Sequence, residues 1–71
     1  MEKRLIEEIR NRPARFYRLP GDVIRDRRFN DGERLEILRA WLAGTEGGVL
    51  ALQIENAIGE LQARMPGHAA E

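Results

Sequence analysis

Asn30-Asp31-Gly32-Glu33-Arg34-Leu35-Glu36-Ile37-Leu38-Arg39-Ala40-Trp41-Leu42-Ala43-Gly44 is the stretch that decides the fold. Asn30 can accept from the free amides of a first helical turn. Glu33, three residues on, can answer back to the Asn30 amide, the reciprocal arrangement of a capping box. Asp31 and Glu33 also suit the positive end of a helix dipole. The spacing therefore predicts a helix that begins at Asp31, and Gly44 after Ala43 has the character of its C-cap. At about 100° per residue Leu35, Leu38, Trp41 and Leu42 form one stripe, which Ile37 widens to about 160°, more than a single neighbouring helix needs. A helix apolar over so wide a face is the central helix of an all-α fold.

Working towards the C-terminus, Thr45-Glu46-Gly47-Gly48 reads as a flexible joint. A further helix is expected over 49–64, with Leu50, Ile54, Ala57, Ile58, Leu61 and Met65 inside a face of about 120°. Val49 and Leu52 fall outside that face. Gly59 lies opposite it, where a helix interior loses up to ~1 kcal/mol relative to Ala and the sequence offers no reason for the glycine. Pro66-Gly67 ends the helix, and 66–71 is expected to be a disordered tail.

Working towards the N-terminus, Pro13 and Pro20 bracket Phe16, Tyr17 and Leu19. The residue before each proline is pushed into extended geometry, so 13–21 reads as a connector with apolar anchors. Asp22 then reads as the N-cap of a short helical turn whose Val23 and Ile24 point inward. Residues 1–12 place Leu5, Ile6 and Ile9 on one face of an amphipathic helix, too short to persist in water unless it docks. The expected architecture is a small all-α bundle of three principal helices plus a short helical turn after Pro20, in one domain over 1–65. No strand signal or internal repeat interrupts it.

Composition narrows the chemistry. A chain of 71 residues allows one small domain, and one of this size buries only about 60% of its unfolded surface, so self-association would help it. There is no cysteine, and the one histidine, His68, stands alone near the end. Disulfide frameworks, zinc knuckles, thiol nucleophiles and histidine triads are thereby excluded, and no catalytic, cofactor-binding or metal-ligating set is expected. Asp22 and Asp26 are four apart, yet a cap and an ion pair account for them and a metal would need more ligands. The sequence therefore predicts no enzyme, no cofactor and no small-molecule substrate. With no apolar run of membrane length and no leader pattern, a cytoplasmic protein without membrane contact is expected.

Phe16, Pro20, Asp22, Val23 and Asp26, followed by Glu33, Ile37, Leu38 and Trp41, set P-x-D-V-x-x-D ahead of E-x(3)-I-L-x-x-W. This pattern resembles that of a family of small, largely uncharacterised proteobacterial helical proteins. In that family a leucine-serine step starts the helix where this chain has Phe29 and Asn30, and a lysine stands at Arg34. The resemblance covers 16–41 and implies a small helical bacterial protein, with no defined activity. Beyond Trp41 the family continues with an acidic helical extension, whereas this chain turns through Leu42-Ala43-Gly44.

Charge is the remaining signal. Twelve basic residues balance twelve acidic ones, but 1–30 hold nine basic against five acidic, a net +4, and 31–71 hold three against seven, a net −4. Seven arginines fall between Arg10 and Arg28 against Asp22 and Asp26, a local +5. Arg15, Tyr17, Arg18, Arg25, Arg27 and Arg28 are thus a candidate surface for a partner or for nucleic acid, since guanidinium forks read phosphate and an aromatic ring stacks on bases. Pairing of these arginines with the acidic half, within one chain or between two, competes with that use. Ile37, Trp41 and Leu52 are the candidate interface, because the central stripe is wider than one contact. The expected function is a protein-protein interaction or regulatory module that forms a homodimer or binds another protein. A nucleic-acid-binding accessory protein using 10–28 is the alternative.

Overall fold

The computed structural model describes the backbone of 2–64 and the side chains of 5–64. Five helices follow one another: α1 (Glu2–Asn11), α2 (Pro13–Phe16), α3 (Pro20–Arg25), α4 (Asp31–Ala43) and α5 (Gly48–Ala63). The described residues form no strand, and the three longer helices are the three principal helices expected. Met65 and the tail over 66–71 lie outside the described residues.

The connector expected over 13–21 is instead mostly helical, because each proline opens a helix rather than closing one. At the first helical position proline's missing N–H costs nothing and its fixed φ is already helical. Of the residues before them, Leu19 is extended at φ −128°, ψ 149°, whereas Arg12 at φ −142°, ψ 66° is neither helical nor fully extended. Asp22 is correspondingly not an N-cap. Pro20 starts α3, so Asp22 sits in its first turn, and its Oδ2 accepts from the Leu19 amide at 3.3 Å. The apolar anchors also differ from expectation: Tyr17 is buried, whereas Phe16 and Leu19 keep 42% and 54% of their surface exposed.

The capping box of α4 forms as read. Asn30 Oδ1 accepts from the Glu33 amide at 2.8 Å, and the Asn30 amide donates to Glu33 Oε1 at 2.9 Å. Gly44 is the C-cap at φ −92°, while Gly47 and Gly48 at φ 94° and 84° make the turn into α5 that side chains rarely adopt. The Thr45 hydroxyl donates to the Trp41 carbonyl at 2.7 Å, satisfying one of the acceptors left at the helix end.

All four other helices pack on α4, and α5 packs on α3 as well. The wide apolar stripe of α4 is consumed in that way. Ile37 and Leu38 are fully enclosed and Trp41 is buried, so Ile37 and Trp41 form core rather than an outward interface. The molecule is a slab of 34 × 33 × 18 Å, about two helix diameters thick. Ile9 of α1, Val23 of α3, Ile54 and Leu61 of α5 complete the enclosed centre. Among the described residues, no helix is long and apolar enough to cross a membrane.

Two substitutions test this account by chemical denaturation at low protein concentration. Asn30→Ala removes the acceptor of the first turn of the helix on which every other one packs, and is expected to cost about 0.5–2 kcal/mol. At Gly59, φ is ordinary and a Cβ would meet nothing within 4 Å. Gly59→Ala is therefore expected to stabilise the monomer by up to about 1 kcal/mol.

Candidate functional site

The arginine-rich segment divides into a part that holds the fold together and a part that faces outward. The first part centres on Asp26, the residue that ends α3. Tyr17 Oη donates to Asp26 Oδ2 at 2.7 Å. Arg28 grips the same carboxylate with one edge of its guanidinium, Nε to Oδ1 at 3.0 Å and Nη2 to Oδ2 at 2.8 Å, and its amide adds a bond to Oδ1 at 3.0 Å. The Asp26 carbonyl accepts from Arg34 Nε at 3.0 Å and Nη2 at 2.8 Å. Arg34 also pairs with Asp31. Arg64 joins from the end of α5, with Nη2 at 3.2 Å from Asp31 Oδ1 and 3.5 Å from the Ile24 carbonyl.

These contacts shift the titrations in opposite directions. The Arg28 fork, opposed by desolvation and helped by the Tyr17 hydroxyl, holds the Asp26 carboxyl well below the usual carboxylate range. Burial, then the hydrogen bond to the Asp26 anion, push the Tyr17 phenol well above its ordinary value. Shifts of this kind accompany catalytic sites when they line a cleft. Here neither described groove is lined by Tyr17, Asp26 or Arg28, and the Tyr17 ring stacks on Trp41, with centroids 6.4 Å apart and planes at 28°. The cluster is a structural latch.

Tyr17 consequently leaves the candidate nucleic-acid surface: buried and bonded at its hydroxyl, it cannot stack on a base. Arg28 is half-exposed but spends its fork on Asp26 and lies 5.4 Å from the Phe29 ring centroid. Arg25 sits 3.8 Å from Asp22. The pairing of basic and acidic halves expected from the sequence is represented by Arg10 and Glu36, 3.7 Å apart, while the other bridges of 10–28 are local.

The outward part is built by α2. Arg12, Arg15 and Phe16 line a groove of about 470 Å³ together with Glu8 and Asn11 of α1. Arg12 also belongs to a second groove of about 400 Å³, between the 10–14 corner and Trp41, Thr45 and Leu50. Among the described residues Arg12, Arg15, Arg18 and Arg27 have no carboxylate within ion-pair distance. Sequence reasoning names Arg15 and Arg18 and interleaves Phe16 and Tyr17 with the arginines as stacking groups; of these two rings Phe16 is the exposed one and Tyr17 the buried one. Arg12, one of the seven arginines of that segment, lines both grooves. No group of three metal-ligating side chains occurs among the described residues. Comparison of the chain with protein-family models, with curated proteins and with solved structures gives no match.

The latch predicts a two-sided stability profile. Asp26 is held ionised in the folded state, so its contribution is complete above the unfolded carboxylate value near 4 and fades as pH falls below it. Tyr17 is held protonated, so its contribution is complete below the unfolded phenol value near 10 and fades as pH rises beyond it. Tyr17 is the only tyrosine, so absorbance follows its ionisation directly, and the midpoint is expected above 10 when folded and near 10 in denaturant. Tyr17→Phe should cost about 0.5–1.5 kcal/mol at neutral pH and abolish the alkaline limb.

Proposed function

We propose that the chain is a small helical interaction module that takes an acidic, partly apolar segment of another protein at the groove beside Phe16. The observation that supports this is the grouping of Arg12 and Arg15, neither paired with a described carboxylate, around an aromatic side chain left 42% exposed. A ring set between guanidinium groups offers an apolar anchor and charge complementarity at one place, the composition of an interface hot spot with a polar rim.

The alternative is nucleic-acid binding, and the free guanidinium groups of Arg12, Arg15, Arg18 and Arg27 favour it. Against it stand the zero net charge of the chain and the loss of Tyr17 and Arg28 to the latch, which remove a stacking ring and a phosphate fork.

The test is capture from a native extract on immobilised chain, with wild type compared with Arg12→Glu/Arg15→Glu and with Phe16→Ser. A protein partner should be retained by wild type, lost from both variants and indifferent to nuclease. Anisotropy titration with labelled mixed-sequence DNA and RNA at moderate salt should show binding weaker than micromolar. Micromolar or tighter affinity that falls steeply with salt, and retention abolished by nuclease, would replace this reading with the alternative.

A further inference from the structure

α5 is apolar on two opposite faces, and only one is used. Ala51, Ile54, Ala57 and Leu61 face the core. On the far side Val49, Leu52, Asn56, Gly59 and Ala63 share a sector of about 80° at the helical repeat. All five are exposed, with 72% of Val49 and 61% of Leu52 open. Their spacing of 3, 4, 3 and 4 residues is the a and d alternation of a coiled-coil seam. No charged side chain interrupts the strip, and a monomer gives it nothing to pack against.

The order of sizes along the strip identifies what covers it. The two large residues lie in the first half, the two smallest in the second, and Asn56 in the middle. We propose that α5 packs against α5 of a second copy, antiparallel, about a two-fold axis near Asn56. In that register Val49 and Leu52 of one copy lie over Ala63 and Gly59 of the other, twice over, so each large side chain meets the space that a small one leaves. Gly59, which a monomer does not require, becomes the seat of Leu52. Charge agrees with the register. Glu46, ahead of α5, comes to the end of the other α5, where Arg64, paired in its own chain with Asp31, keeps nearly half of its side chain exposed; Glu60 stands beside Gln53, and the two helix dipoles lie side by side and antiparallel. Asn56 faces its symmetry mate, and one polar residue at such a position sets register at some cost in affinity. Two heptads over about 24 Å of helix make a small contact, so association occurs at high micromolar concentration rather than nanomolar.

This surface is separate from the groove beside Phe16, and the test keeps the two apart. Sedimentation equilibrium across a wide concentration range should move from the mass of one chain to that of two as concentration rises through hundreds of micromolar. Leu52→Asp should remain one chain. Gly59→Leu, which improves helix propensity on an exposed face and so keeps the fold, should weaken association about tenfold or more by overfilling the seat. The double variant Leu52→Gly/Gly59→Leu exchanges large and small, and a two-fold antiparallel pair should recover most of the affinity that Gly59→Leu loses. Circular dichroism confirms that each variant is folded, and Arg12→Glu/Arg15→Glu should leave the mass curve unchanged. A wild type that stays at one chain throughout, or a Gly59→Leu that associates as wild type does, would overturn the pairing without touching the groove reading.

Discussion

The carboxylate of Asp26 is the constraint on which the arrangement of the first half depends. It lies where α3 ends, and the segment before α3, the turn after it and the start of α4 all converge on this residue, through Tyr17, Arg28 and Arg34. Hydrogen bonds to an ionised acceptor are roughly twice as strong as neutral ones, and this carboxylate receives them from a hydroxyl, an amide and a guanidinium fork. Even a partly buried anion is costly without such partners. With them it holds the path of 17–34 together with the buried Tyr17, Val23, Ile24 and Phe29. The stacking of Tyr17 on Trp41 follows, because the hydroxyl tether leaves the ring few other positions.

Trp41 transmits that constraint to the rest of the slab. It lies on α4, the helix that touches every other one, and its burial links the Asp26 latch to the C-terminal end of the helix, where Thr45 and Gly44 close it. The N-terminal end is secured by the Asn30 and Glu33 box and by Arg34 and Arg64 converging on Asp31. A chain this small stays folded by a margin of a few kcal/mol. Polar fastening at both ends of one central helix is therefore comparable in effect to its modest core.

The helices that were legible in the sequence are those with local causes. Asn30 and Glu33 carry their own cap chemistry, and α4 and α5 carry a clear period. The three-helix reading was correct for that reason. The prolines misled, since Pro13 and Pro20 obey the same steric rule whether they end a helix or begin one, and the outcome depends on where Tyr17 and Val23 find a core. The candidate surface was less legible. Tyr17 looks available because nothing local reveals that a carboxylate nine residues along the chain will claim its hydroxyl, whereas the ion pair that the sequence predicts for Asp26 is made by its neighbour Arg28. Ile37 and Trp41 look surplus in the sequence because 13–21 reads as a connector, whereas the helix α2 inside it and the short helix α3 after Pro20 both pack on α4. Leu52 was read as outlying, and it is exposed.

Of the residues that set this chain's sequence pattern, Pro20, Asp22, Val23, Asp26, Glu33, Ile37, Leu38 and Trp41 are spent on capping, latching or core, and Phe16 stays exposed. Most of that pattern therefore specifies a fold, and function must lie in what the fold leaves uncommitted. Among the described residues, the surface left uncommitted by the latch and core includes the Arg12, Arg15 and Phe16 groove and the outer strip of α5. They differ in kind. A groove rimmed by free guanidinium groups selects by charge and weakens with salt, whereas a strip of Val49, Leu52, Gly59 and Ala63 selects by shape and responds to side-chain volume. Ionic strength and residue size therefore act on different surfaces of this molecule.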